Sequence, residues 1–474
     1  MRGETEMNER SKMNRREFIK FGGSAVALVT HGAATTRSRA AAPRRPRPKN
    51  ILLIITDQQH IDTIRAGGCA HVRTPALDRL KRRGVSFTQS YSANPVCSPA
   101  RSAIFSGRTS SEAAVPVNGR PIRSELPNLG QWFSAHTDYE TFYAGKWHLP
   151  RTYTSDIPGF KVLHTGIGGF GYLCDALMSR ACEGFLRNRS RSRPFLLVTS
   201  FMQPHDICEW LRLNTEDPGR LRYPELEGQL PPLPENFDFD TREPEVVSRG
   251  RASDEPFKTG WSRRQWRYYL WSYYRNIEYV DGQIGRVLQA LDDCGYAEDT
   301  LVVFTADHGE GLAHHQTVRK NTLYDEAVRV PLIVSWPGHV PQDRTEAAHL
   351  ASGLDILPTL CAYAGIAAPE HMRGKNLRGV LENGTPARDF IVSEVAGNMG
   401  RMVRSERYKY VVYAGDSTEQ FFDMKNDPGE TRNLAAEARC ASAVAEHKDL
   451  LRQWESRLDV PKAVSHRDAW WYIR

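Results

Sequence analysis

Asn50-Ile-Leu-Leu-Ile-Ile-Thr-Asp57 is a continuous apolar run that ends in an acid. Alternation would mark a strand with one wet face. A run without alternation marks a strand buried on both faces, as in a parallel sheet covered by helices. Leu301-Val-Val-Phe-Thr-Ala-Asp307-His308-Gly309 repeats the design. Phe195–Ser200 and Val330–Ser335 are similar runs without the acid. Helical patterns lie between them, at Ala76–Arg83, Arg101–Gly107, Leu129–Ala135, Trp266–Leu291 and Gly353–Ala364. Strands alternating with helices predict an α/β fold, a large mostly parallel sheet sandwiched by helices.

Further out the texture changes. Residues 206–262 are rich in Pro, Glu, Arg and Asp and weakly periodic, which predicts an insertion over one face. Trp210, Arg212 and Arg220 within it are candidates for substrate contact. Past residue 390, Arg407–Tyr413 and Gln420–Met424 read as short strands, Asn426-Asp-Pro-Gly429 as a turn and Ala435–Leu458 as a helix. A smaller α+β C-terminal subdomain over 391–474 follows, after a main domain over 50–390.

The chain has 474 residues, 40% hydrophobic and 25% charged, which excludes collagen, coiled-coil rods and disordered chains. No stretch of ~20 apolar residues is present, so no membrane span is expected. The net charge of +7 belongs to the front end. Residues 1–42 carry eight basic and four acidic residues, and 43–49 four more basic ones. The remainder holds 51 basic against 52 acidic residues, so the body makes no electrostatic case for nucleic acid. Arg15-Arg16 precede Phe18, Lys20 and a short apolar run, and small residues follow. Residues 1–42 therefore resemble a cleaved twin-arginine leader, and export to the periplasm or beyond is expected. Pro43–Lys49 reads as an extended linker. None of the eight cysteines forms a CxxC pair, which argues against a zinc ribbon.

The chemistry gathers at strand ends, where ligands sit in open α/β sheets. Asp57 and Gln58 close the first run, and Asp307 and His308 another. Two carboxylates, an amide oxygen and an imidazole suit Ca²⁺ or Mg²⁺, with Mn²⁺ open. In Cys97-Ser-Pro-Ala-Arg101-Ser-Ala-Ile-Phe-Ser-Gly107-Arg108, Ser98 can cap a helix with Pro99 in its first turn. Cys97 then stands at a helix N-terminus, where an anion is favoured, and Arg101 can aim its fork at the same place.

This string resembles the type I sulfatase family, whose Cys/Ser-x-Pro-x-Arg element supplies a formylglycine. Other segments resemble the family in the same order, over about 50–434. They are Asp57-Gln58, Gly145-Lys146-Trp147-His148, Gln203-Pro204-His205-Asp206, Asp307-His308-Gly309-Glu310, Lys320 ahead of Tyr324-Asp325-Glu326, and Arg407–Tyr410 with Asp427–Glu430. The resemblance implies an alkaline-phosphatase-like fold and a sulfuric ester hydrolase. It implies that a formylglycine-generating enzyme converts Cys97, and that Asp57, Gln58, Cys97, Asp307 and His308 hold the metal. Arg101, Lys146 and Lys320 would offset the ester's charge. His205, helped by Lys320, would protonate the leaving alcohol, and His148 would take a proton from residue 97. His314 and His315 are weaker candidates for the pocket wall.

Two departures bear on the reaction. Gln58 stands where many members have an acid, and His308 where many have Asn. Relatives acting on phosphonate monoesters and phosphodiesters share this variation, so such a hydrolase is the alternative. A non-catalytic sulfated-glycan binder and a plain cysteine hydrolase are readings of other classes. A sulfated carbohydrate is the expected substrate, with small sulfate esters open.

Overall fold

The computed structural model describes residues 47–166, 170–213, 224–240, 242–253, 261–395 and 399–461. The leader, linker residues 43–46 and Arg220 lie outside them. In chain order the strands are β1 (Asn50–Asp57), β2 (Val85–Phe87), β3 (Ser90–Tyr91), β4 (Glu140–Gly145), β5 (Lys161–His164), β6 (Phe195–Pro204), β7 (Thr300–Ala306), β8 (Leu332–Ser335), β9 (Arg344–Glu346) and β10 (Ala351–Ser352). Eight of them form one sheet in the order β5-β4-β6-β1-β7-β8-β2-β9. β5, β4, β6, β1 and β7 are parallel, and β8 alone runs the other way, against β7 and β2. The sheet is therefore mostly parallel, with the two acid-ended strands β1 and β7 side by side at its centre.

β1 shows why the apolar run is unbroken. Ile51, Leu53 and Ile55 enter one core with Ile104, Phe105, Leu357 and Leu360. Leu52 and Ile54 enter the opposite core with Met178, Val280, Ile284 and Val287. The first group rests on helices Cys97–Ser106 and Ile356–Ala364, the second on helices Gly171–Asn188 and Arg263–Asp293. Each fully buried aliphatic side chain is worth roughly 1.5–3 kcal/mol, so a polar residue anywhere in β1 is costly. The chain is tied down before β1 begins. Arg47 and Lys49 pair with Asp138 and Asp299, and Tyr139 donates to the Pro48 carbonyl.

The predicted 206–262 insertion is more than a cover. Ile207, Leu211 and Phe237 pack with Trp266, Tyr269 and Tyr273 of the long helix. That helix starts at Arg263, where Ser262 and Gln265 form a reciprocal cap. The C-terminal sheet is antiparallel, β11 (Phe390–Val395), β12 (Gly400–Ser405), β13 (Tyr408–Tyr413) and β14 (Gln420–Asp423). One face packs on Tyr91, Tyr324 and Val328 of the main body, the other on helix Ala441–Glu455. No helix among the described residues is long and apolar enough to cross a membrane.

Candidate active site

β1 and β7 deliver Asp57, Asp307 and His308 to one point, and helix Cys97–Ser106 brings Cys97. Ligand atoms of these four buried residues lie within 4.8 Å of one another. Cys97 Sγ is 3.2 Å from His308 Nε2, 3.3 Å from Lys320 Nζ and 3.7 Å from Asp57 Oδ1. The His308 Nδ1 lies 2.9 Å from the Gly309 carbonyl. Donation to that carbonyl fixes the tautomer and leaves the Nε2 lone pair facing the cluster. Two carboxylates and an imidazole lone pair aimed at one point fit a divalent cation. The Gln58 oxygen accepts from Lys320 Nζ at 2.6 Å, the same ammonium that stands 3.3 Å from Cys97 Sγ.

The helix begins at Cys97 rather than after Ser98. Val96 occupies its cap without a side-chain bond. Ser98 is engaged elsewhere, its N–H donating to Asn118 Oδ1 at 2.8 Å and its hydroxyl to the His148 carbonyl at 2.6 Å. Thus Ser98 does not cap the helix; it ties the Cys97 turn to the His148 loop.

Arg101, whose fork the sequence directs to the helix start beside Cys97, is 0% exposed and is engaged by carboxylates there. Its Nε donates to Asp307 at 2.9 Å and its Nη2 to Asp57 at 3.1 Å. Its Nη1 serves the Lys146 carbonyl and the Ser200 hydroxyl. Both carboxylates are buried, so the guanidinium between them offsets the cost of their charge. Lys146 Nζ sits 2.6 Å from Asp57 Oδ2. Gly145 makes this possible, with φ +98° and a backbone so close to Ser200 that a Cβ would meet its oxygen at 2.1 Å.

The electrostatics follow from this packing. Burial pushes Asp57 up, but Lys146, His205, Arg101 and Lys320 outweigh it and hold the carboxyl well below its usual range. Burial and the neighbouring Asp57 push Asp307 up to about 6. Burial and Asp57 oppose ionisation of Cys97, yet Lys146, Lys320 and His308 hold its thiol well below the ordinary range. Burial and then Lys320 bring the half-buried His205 down to about 3, so it is neutral at neutral pH. Burial also lowers His148, whose Nδ1 has no hydrogen-bond partner among the described residues. Burial would discharge Lys320, but Cys97, Cys208 and Asp57 outweigh it and raise its pKa.

Gln58 and His148 adopt left-handed backbone conformations, φ +68° and +65°. Such strain is held by its surroundings. The Tyr273 hydroxyl donates to the Gln58 carbonyl at 2.7 Å, and the His148 N–H donates to the Arg151 carbonyl at 2.8 Å.

Four weaker candidates have their partners outside this cluster. His314 stacks on His60 and bonds Asn236. His315 is buried against Glu326. Trp210 packs edge-on against Trp261 and Tyr268, and Arg212 pairs with Glu209. The sequence reading gave no role to Glu310, Tyr269, Tyr273, Ser200 or Asn118. Tyr269 and Tyr273 share one face of a helix, a spacing visible in the sequence, but nothing there says which loop they meet.

A metal-fitting cluster, a buried nucleophile position at a helix start and flanking lysines at the carboxyl edge of this sheet define an enzyme of the alkaline-phosphatase-like superfamily. The chain belongs to the type I sulfatase family within it, and is a sulfuric ester hydrolase. The Sulfatase family model matches residues 49–366, and the model described as N-sulphoglucosamine sulphohydrolase, C-terminal, matches 313–457. The chain is 32% identical to the Delta 4,5-hexuronate-2-O-sulfatase of Bacteroides thetaiotaomicron, over 88% of this chain and 91% of that protein. It resembles a solved 2-O GAG sulfatase with a TM-score of 0.77 at 30% identity, covering 87% and 92% of the two chains. The phosphonate monoester hydrolase of Agrobacterium radiobacter shares the fold, with a TM-score of 0.71 at 24% identity and 87% and 96% coverage.

Proposed function

We propose that this sulfatase removes sulfate from a sulfated carbohydrate of glycosaminoglycan type, after export and conversion of Cys97 to formylglycine. The carrying observation is the position of Cys97, at the first turn of a helix with its Sγ among His308, Lys320 and Asp57. The likeness to a hexuronate 2-O-sulfatase and a 2-O GAG sulfatase supports the substrate class.

A formylglycine at residue 97 would supply a hydrated aldehyde, an oxygen nucleophile with a second hydroxyl for sulfate release. A divalent cation held by Asp57, Cys97, Asp307, His308 and Gln58 would supply Lewis-acid polarisation of the sulfate. The protein's own groups do the rest. Arg101 bonds Oδ2 of both Asp57 and Asp307 and so holds the two carboxylates in register beside the cation position. Lys146 and Lys320 set fixed positive charge around the sulfate in a dry pocket, where preorganised charge is most effective. His205 is neutral while the site is empty. An anionic ester compensates the two lysines and raises His205 toward protonation, beside a Lys320 that keeps its proton. This couple delivers the proton to the leaving oxygen. His148, kept neutral by burial, is placed to take a proton from residue 97.

The test is peptide mass spectrometry across Cys97, from protein made with a formylglycine-generating enzyme, followed by a substrate screen. Conversion of the thiol with release of sulfate from 2-O-sulfated unsaturated uronides supports the proposal. An unmodified thiol in a host that converts a control protein sinks it. The amide Gln58 and imidazole His308 leave the site with few fixed negative charges, which favours a phosphonate monoester or phosphodiester hydrolase as second reading. Faster turnover of a phosphonate monoester than of any sulfate would establish that alternative.

A further inference from the structure

Gln58 is a proposed ligand whose useful end is set by its neighbours and not by its own chemistry. A carboxylate offers oxygen whichever way it turns. An amide offers an oxygen or an NH₂, and a half-turn exchanges them. Its neighbours decide. Gln58 Nε2 donates to Glu310 Oε2 and faces Cys208 Sγ at 3.3 Å. Gln58 Oε1 accepts from Lys320 Nζ at 2.6 Å. A flipped amide would set oxygen against a carboxylate and NH₂ against an ammonium, so both ends oppose the flip.

Glu310 is itself immobilised. It is fully buried and outside the cluster of cation donors. Its Oε1 accepts from the Tyr269 hydroxyl and the Arg319 N–H. Its backbone N–H donates to the Glu326 carbonyl at 3.0 Å. The neighbouring Gly309 passes so near the short helix Asp325–Val328 that a Cβ would meet Glu326 O at 2.0 Å. Tyr269 lies one turn before Tyr273, whose hydroxyl bonds the Gln58 carbonyl. One helix thus holds the backbone of Gln58 directly and its side chain through Glu310.

We propose that Glu310, held by Tyr269, is a positioning residue that keeps the Gln58 amide oxygen turned toward the cation position. The inference rests on the metal reading above. It also explains the departure at position 58. A carboxylate there would face the Glu310 carboxylate, whereas an amide there needs an acid opposite. The two residues therefore belong together, and exchanging them should conserve the bond with its polarity reversed.

The full chain, stripped with chelator, is titrated calorimetrically with Ca²⁺, with Mg²⁺ and Mn²⁺ in parallel. Glu310→Gln lets the amide turn and should weaken binding roughly tenfold, as loss of an outer partner does at other metal sites. Gln58→Ala should weaken it as well, and adding Glu310→Gln to that variant should change it less than about twofold. The exchange variant, Gln58→Glu with Glu310→Gln, should bind within about threefold of the parent. A merely structural role for Glu310 would not be rescued by a change at 58. Equal affinity in parent and Glu310→Gln, or an exchange variant no better than Glu310→Gln alone, overturns the inference while the metal reading stands. A parent that takes up none of the three cations overturns both. If Glu310→Gln does not fold, Tyr269→Phe asks the same question, and unchanged affinity there overturns the inference.

Discussion

Of two charge clusters buried among the described residues, one around Cys97 and one around Lys409, only the first resembles an active site. At the sheet's edge Asp57, Asp307, Arg101, Lys146 and Lys320 surround Cys97 and His308. Where the C-terminal sheet meets the main body, Lys409 is 0% exposed and pairs with Asp325 at 2.9 Å and Glu430 at 2.7 Å. Arg404 and Asp325 share the Tyr91 hydroxyl, and His315 pairs with Glu326. The second cluster closes on itself: Lys409 lies between Asp325 and Glu430, Arg404 bonds Tyr91 and Gln89, and His315 meets Glu326. The first leaves lone pairs of four residues converging on one point and a histidine nitrogen without a partner. Burial of charge does not mark a catalytic centre; uncompensated convergence does. Substitution should separate the two clusters, since one trades activity and the other stability.

Cys97 gives the largest expected effect. Cys97→Ala should lower kcat/KM by at least about 10⁵-fold, the scale of losing a nucleophile that acts as a unit with its partners. The melting temperature of the cation-free protein should stay within about 2 °C, because a small buried thiol contributes little. Cys97→Ser in the same host should be similarly inactive, and turnover matching the parent would end the formylglycine proposal. Lys320→Met comes next. It removes a positive charge facing the sulfate and should cost on the order of 10²–10³ in kcat, the range for one transition-state donor. Its stability should hold or rise, since Lys320 is a buried cation with polar partners and no carboxylate in direct contact. A large fall in melting temperature with kcat intact would move Lys320 to the structural class.

The sequence shows one of these clusters far better than the other. β1 and β7 are legible because a run buried on both faces cannot alternate, and the acids that end them fall at the edge where ligands bind. The Cys97–Arg108 string is legible because it is contiguous. Arg101 is different. Its place one turn along the helix was readable, but its commitment to Asp57 and Asp307 depends on which strands are neighbours. Glu310 lay within a recognised string and remained silent, because its partner Tyr269 arrives from a helix some forty residues earlier in the chain. The Lys409 cluster joins residues 91, 325, 404, 409 and 430, brought together by the docking of a sheet onto a domain. No local pattern carries that information. Asn426–Gly429 was readable as a turn, but the next residue, Glu430, not as a buried carboxylate.

Lys409→Met reverses the trade. Breaking a buried pair from one side strands a carboxylate, at about 3–5 kcal/mol. In a chain of this size the melting temperature should fall by roughly 3–5 °C by calorimetry. The kcat/KM of the folded fraction at 20 °C should stay within about threefold of the parent, because no residue of the cluster touches the cation donors. A loss of two orders of magnitude in activity would show that this cluster also shapes the catalytic centre.

The smallest effect concerns pH and isolates one pair. Nδ1 of His315 lies 2.5 Å from Glu326 Oε1, and its Nε2 lies 3.3 Å from the Glu430 carbonyl. Both ring nitrogens face acceptors, an arrangement that only the imidazolium satisfies on both sides. Tyr324 stacks on the ring, and Arg251 bonds the His315 carbonyl. Burial disfavours the charged ring, but Glu326 and Glu430 outweigh it and raise the pKa above 6.5. Burial likewise disfavours ionised Glu326, and His315 outweighs it to bring the carboxyl down to about 2. A raised histidine contributes fully below its unfolded value of 6.5 and loses that contribution as pH climbs through the folded value. A depressed glutamate contributes above its unfolded 4.5 and fades as pH falls toward about 2. The pair is therefore most stabilising between about 4.5 and 6.5. Glu430, pushed by burial to about 7, favours the same acid side. His315→Gln should lower the melting temperature at pH 6 by about 1–2 °C and by less at pH 9, so the two curves converge as pH rises. Parallel curves would show that the ring is uncharged in the folded protein, and that this cluster owes nothing to a protonated histidine.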